Sequence, residues 1–211
     1  MADDPDESGI QSFMDRMQSD GSWTDIDYDD QTSIGGWAPE GHLNRLVTMS
    51  VNFAHSKSRF YKNSTLLDKI EKGLLYYKQR APYSADNWYY NDIGGPKKYM
   101  IPLILIKGSL SKDRMMAVSI YLKDKIDGFM GGGKNLSWIS EIAMHKGCVE
   151  DNYFTVQHAF YGIASTLTIV SKQGDEGIKI DGSYHQHHAQ IQSGSYLSLI
   201  HISEPTRLQL I

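Results

Sequence analysis

Cysteine is almost absent from this chain, with Cys148 the single example. An internal disulfide framework is therefore excluded, and the fold must rest on an apolar core, for which 40% hydrophobic and 11% aromatic residues over 211 positions suffice. One free thiol suits either a reducing compartment or an exported protein built without bridges. Also missing is a run of roughly 18 apolar residues, the length a membrane-spanning helix needs. The opening MADDPDESG is acidic where an export signal is basic and then apolar, so no signal peptide is visible, although a start placed at an internal Met of a truncated gene would remove one. Strong charge of either sign is lacking too. A net charge of −4 gives no global attraction for nucleic acid or a sulfated sugar, so any anion binding has to be local.

Strand patterns are sparse and helical ones dominate. After a Gly/Pro-rich lead-in at Gly35, Gly36 and Pro39, the pattern is helical, with Leu43, Leu46, Val47 and Ser50 through Ala54 recurring near period 3.6. Thr65 to Asp68 reads as a capping signal for a second helix, whose stripe of Leu67, Ile70, Leu74 and Tyr77 ends before Pro82. A third helix starts at Pro96 and runs to Ile106, with Pro102 expected to kink it. Further helices fit 111–126, 136–146 and 153–170. The expectation is an all-α fold of stacked helical hairpins over 20–196, preceded by an N-terminal segment at 1–19, with 174–196 as a long loop at one rim. The stretch LSLIHISEPTR at 197–207 reads as a translated transposase sequencing adapter, and 197–211 is expected to be a non-native tail.

Three clusters carry the chemistry. The first is Asn87-Trp88-Tyr89-Tyr90-Asn91-Asp92-Ile93-Gly94-Gly95-Pro96. Neighbours in a helix point about 100° apart, so these aromatics cannot all face one core, and some should line a surface where flat rings suit sugar faces and amides suit hydroxyls. An aromatic-rich turn packed on the core is the bland alternative. The second is Gly131-Gly132-Gly133-Lys134-Asn135, ahead of a helix expected to begin near Leu136. A helix N-terminus favours an anion, although the commoner fate of such an Asn is to cap the helix. The third is Asp181-Gly182-Ser183-Tyr184-His185-Gln186-His187-His188, followed by Tyr196, which puts proton-transfer groups in a polar loop. Zinc is the rival reading there, since His185 and His187 have a strand-like spacing, but no Cys and no paired acidic ligand stands near them. Ordinary hydrogen-bonded loop histidines are the simplest alternative for His185 and His188.

Together with Asp20-Gly-Ser-Trp-Thr-Asp-Ile-Asp27 and Trp37-Ala-Pro-Glu-Gly-His-Leu-Asn-Arg-Leu46, these clusters in this order resemble polysaccharide lyase family eight, which includes chondroitin, hyaluronate and xanthan lyases. The resemblance covers nearly all of 20–196. It departs from the family at Tyr89, where a second Trp is usual, and at Lys134, where a Gly or Ala often precedes the catalytic Asn. The family implies an incomplete α/α toroid followed by β-sandwich domains, of which only the first helical part is expected here. It implies β-elimination beside a uronic acid, with Asn135, His187 and Tyr196 catalytic and Asn87, Trp88 and Tyr89 binding substrate. It implies no cofactor and no metal. An orienting Glu and an Arg that lowers the tyrosine's pKa lie beyond the tyrosine in this family, and no residue before Leu197 matches them, so the chain alone is expected to be inactive. An acidic polysaccharide as partner, no nucleic acid, no membrane, a monomeric full-length form and a secreted or periplasmic bacterial location follow from the same resemblance. Lys97, Lys98 and Lys134 read as solvated lysines that could also attract carboxylates or sulfates. Two rival functions stay open: a non-catalytic carbohydrate-binding helical module, and a metal-assisted hydrolase using His185 to His188.

Overall fold

The computed structural model describes residues 5–31, 36–83, 85–123, 126–127, 133–172, 174–185 and 191. Among the described residues the chain is helical: α1 (Ile10–Arg16), α2 (Glu40–Ala54), α3 (Ser64–Arg80), a π-helical turn (Tyr90–Gly94), α4 (Gly95–Ile106), α5 (Lys112–Ser119), α6 (Gly133–Val149) and α7 (Tyr153–Ser165). Among the described residues strand is confined to an antiparallel pair, β1 (Gly177–Ile178) and β2 (Tyr184–His185), inside the segment expected to be loop.

α2 lies against α3 and α4, α4 against α6, and α6 against α7. The core follows the apolar stripes: Leu43, Leu46, Met49 and Phe53 from α2 meet Leu66, Ile70, Leu74 and Tyr77 from α3 and Tyr99, Leu103 and Ile106 from α4. α3 is capped by Asn63, whose side chain accepts from Leu66 N–H, and not by the Thr65 signal. Basic Lys78 and Arg80 occupy its last turn, which suits the helix dipole, and Pro82 holds Ala81 extended just beyond. Pro102 does not break α4. It is buried inside the helix, where packing offsets the lost backbone bond, a cost of about 3 kcal/mol. α5 and α7 stop earlier than their sequence patterns suggest, at Ser119 and Ser165.

The upstream motifs turn out to be structural clamps. Gly21 sits at φ +96°, and a Cβ there would lie 2.4 Å from the Lys72 carbonyl oxygen, so only glycine lets this turn meet α3. Trp23 donates its indole N–H to the Phe13 carbonyl at 2.9 Å and is buried. Arg45 grips Asp25 with two bonds of 2.8 Å, which holds the Asp25 carboxyl down at about 2. α1, within the expected N-terminal segment, contributes Ile10 and Met14 to the core.

A ladder of rings crosses this core. Trp23 meets His42 at 4.8 Å between centroids, and then His42 to Tyr77, Tyr77 to Tyr83, Tyr83 to Trp37 and Trp37 to Tyr90 follow at 5.5, 4.7, 5.2 and 4.9 Å. Such edge-on and offset pairs add to area burial.

Candidate functional site

The aromatic segment begins with an Asx turn. Asn87 Oδ1 accepts from Tyr89 N–H at 3.0 Å, and the Asn87 carbonyl accepts from Tyr90 N–H at 3.2 Å. The π-turn that follows widens the helix by one residue and spreads the side chains around it. Trp88 is 49% exposed, Tyr90 stacks on Trp37, and Asn91 clamps both the N–H and the carbonyl of Tyr83 at 2.9 and 2.8 Å. The Tyr89 ring lies over Gly94, where an added Cβ would come within 2.8 Å of it. The segment is therefore both things the sequence allowed: Tyr90 and Ile93 anchor it, and Trp88 faces outward.

α6 starts at Gly133, three residues before the expected Leu136, so Asn135 lies within the first turn and is not the cap. It is half-buried. Trp138 follows one turn later on the same helical face. Its ring meets Tyr89 at 5.9 Å, edge-on, and Tyr89 meets Tyr90 at 6.1 Å, so the ring ladder continues onto α6. The structure thus brings the first two clusters together through Trp138. Sequence reasoning missed this residue, although an aromatic three positions after Asn135 on a helix was the available signal.

Two lysines close on the same indole. Lys134 Nζ lies 4.7 Å and Lys97 Nζ 5.5 Å from the Trp138 ring centroid. Lys97 also pairs with Glu141 at 2.7 Å, and Lys98 with Glu40 at 3.0 Å. The expectation of solvated lysines fails most clearly at Lys134, which is only 8% exposed. Burial, and after it the like charge of Lys97, holds its ammonium pKa below the usual value. Beside this cluster a cavity of about 290 Å³ opens between α3, the π-turn and α6, lined by Asn91, Asp92, Tyr121, Ile139 and Ile142 among others.

In the third cluster, Asp181 accepts from Ser183 Oγ at 2.7 Å and Ser183 N–H at 3.0 Å, which lowers its pKa and sets the turn between β1 and β2. Tyr184 is buried. His185 Nε2 contacts Ser183 Oγ at 3.1 Å, and its buried Nδ1 has no partner among the described residues. His187, His188 and Tyr196, and the tail at 197–211, lie outside the described residues. Among the described residues no group of three His, Cys, Asp or Glu side chains is placed to hold a metal, and no helix is long and apolar enough to cross a membrane.

The family described as polysaccharide lyase family 8, N terminal alpha-helical domain, matches residues 3–200. The chain is similar to chondroitinase-AC of Pedobacter heparinus, at 26% identity over 193 residues, covering 85% of this chain and 25% of that protein. It is similar to the xanthan lyase of a Bacillus species, at 25% identity, covering 93% of this chain and 23% of that protein. The backbone superposes on chondroitinase AC lyase, solved as enzyme–oligosaccharide complexes, with a TM-score of 0.80 at 25% identity, covering 90% of this chain and 28% of that one. The chain spans about a quarter of the length of these relatives.

Proposed function

The chain belongs to polysaccharide lyase family 8, and from that premise we propose that it carries the substrate-gripping and catalytic helical part of a bacterial lyase, secreted or periplasmic and monomeric when full length. The substrate is a uronic-acid polysaccharide of the chondroitin or hyaluronan kind, cleaved by β-elimination. The observation that carries this reading is the contact of Tyr89 with Trp138, which packs the aromatic segment against α6 one turn beyond Asn135.

In this chemistry the proton beside the carboxylate leaves, and the glycosidic oxygen on the neighbouring ring carbon is expelled as the double bond forms. No water is added. The barrier is the negative charge that builds on the carboxylate, so donors aimed at it lower the transition state. Asn135 and His187 supply those hydrogen bonds, while Trp88, Tyr89 and Asn87 hold the sugar chain. Tyr196 moves the proton. Its phenol, near 10 when free, has to be lowered to act as a base. The core tyrosines are unsuited to that task, since burial pushes Tyr77, Tyr83, Tyr99 and Tyr121 upward.

The test is formation of the unsaturated uronate, read by ultraviolet absorbance, in a full-length lyase carrying these residues. Tyr196→Phe should lower turnover by about 10³-fold and leave polymer binding intact, because only the proton carrier is lost. Near-normal turnover would remove the acid/base role. Cleavage without unsaturated product, abolished by a chelator, would replace elimination with metal-assisted hydrolysis, and binding without any cleavage would leave a carbohydrate-binding module.

A further inference from the structure

The cavity of about 290 Å³ between α3, the π-turn and α6 stands at the lower end of the roughly 300–1,000 Å³ of small-ligand sites, room for a single sugar residue. Ile139 and Ile142 in its wall follow Asn135 at i+4 and i+7 on α6, so all three share one helical face. Asn91 and Asp92, also in the wall, continue the aromatic segment. The cavity is thus bordered by both segments of the proposed site. Two of its polar side chains are already engaged: Asn91 clamps the Tyr83 backbone, and Lys78 donates to the Ala117 carbonyl at 2.8 Å. What they leave to a ligand is largely the aliphatic surface of Ile139, Ile142 and Pro96, and beside it the Tyr121 hydroxyl. That hydroxyl lies against the start of α4, where an added Cβ on Gly95 would come within 3.2 Å of it. Burial raises its pKa, so it stays a neutral O–H able to donate.

We propose that this cavity is the seat of an N-acetylated amino sugar of the bound polysaccharide, its acetamido methyl lying on Ile139 and Ile142 and its amide carbonyl accepting from the Tyr121 hydroxyl. This rests on the polysaccharide reading above and names which sugar of the repeat the cavity recognises. A bare sugar ring carries hydroxyls on every side and loses their hydration against an aliphatic wall. The acetamido group brings one methyl that gains from leaving water and one carbonyl that finds a donor. Ile139 lies about 6 Å along the helix axis from Asn135. Seating the amino sugar there holds the adjoining uronate beside Asn135.

Binding by the 211-residue chain is measured calorimetrically for three oligosaccharides: unsulfated chondroitin, the same oligosaccharide with formyl in place of each acetyl, and an oligoglucuronate that has no amino sugar. The wild type should bind chondroitin about fourfold more tightly than the N-formyl form, the worth of one buried methyl, and the oligoglucuronate more weakly than either. Tyr121→Phe should weaken the two amide-bearing ligands alike, about fivefold, and leave the oligoglucuronate unchanged. Ile139→Ala should erase the difference between acetyl and formyl. The wild-type series needs no substitution and decides by itself should a variant unfold. Equal wild-type affinity for acetyl and formyl ligands, or a Tyr121→Phe variant that binds all three more weakly by the same factor, overturns the amino-sugar seat and leaves the polysaccharide reading standing. Absence of wild-type binding to all three ligands overturns the polysaccharide reading itself.

Discussion

His42 makes two hydrogen bonds that define its tautomer. Nε2–H donates to the Gly73 carbonyl at 2.9 Å, so Nδ1 accepts from the Tyr28 hydroxyl at 2.9 Å, and that oxygen in turn accepts from Trp23 N–H at 3.0 Å. The ring is fully buried, and burial lowers its pKa to about 3. Below 6.5 the unfolded chain takes up a proton that the folded chain refuses. The contribution is therefore complete above pH 6.5 and is lost as pH falls toward 3. Between pH 7 and 5 this amounts to about 2 kcal/mol, and urea unfolding of His42→Gln should show a pH dependence flatter by that amount. A second residue-scale prediction concerns Gly21→Ala, where both the positive φ and the backbone oxygen in the path of a Cβ resist the change. A loss of about 3 kcal/mol in unfolding free energy is expected. Neither cost was legible beforehand: the motif around Gly21 to Asp27 marked these residues as belonging together, but the Lys72 carbonyl that forbids a side chain comes from α3 and is reached only by folding.

At the scale of elements, the proposed lyase would hold substrate with the aromatic segment leading into the π-turn and carry its catalytic donor on the first turn of α6. Asn135→Ala in a full-length lyase should lower kcat by about 10²-fold to 10³-fold with little change in KM, since the lost donor matters most when charge develops. Trp88→Ala should instead raise KM by about tenfold, because the exposed ring contributes contact and no proton. Steady-state rates of unsaturated product distinguish the two. Helices α2, α3 and α4 could be read from the sequence because each repeats its apolar stripe over three or more turns. α1 could not: its Ile10 and Met14 lie one turn apart in a seven-residue helix of barely two turns, and Gly9 offers no side-chain cap. The π-turn has no sequence period of its own, and the start of α6 was missed because glycine runs suggest loop while Gly133 is already helical. Of the expected site, Asn87, Trp88, Tyr89 and Asn135 fall among the described residues, and His187 and Tyr196 lie outside them.

The whole molecule shows a lopsided surface. α7 buries Ala159 and Gly162 against α6, but Phe154 is 78% exposed, and Tyr153, Phe160 and Tyr161 are exposed beside it. Apolar area of this kind drives association in water. The 211-residue chain should self-associate with rising concentration, seen by light scattering. Phe154→Ser with Phe160→Ser should reduce that association while preserving helix content by circular dichroism. A net charge of −4 hid the opposite case, the cationic pair at Trp138, because composition sums over positions that folding sorts into separate places.

The ring ladder from Trp23 to Trp138 has an optical consequence. Tyrosines within contact distance of indoles pass absorbed light to them before they can emit, so the folded chain excited at the tyrosine band should glow almost wholly in the tryptophan colour. Tyrosine emission appears when the relay parts. Because its last rung is the contact between Tyr89 and Trp138, a quenched or shifted signal on adding sugar would report occupancy of the platform without any label, and the same spectrum would register the chain coming apart.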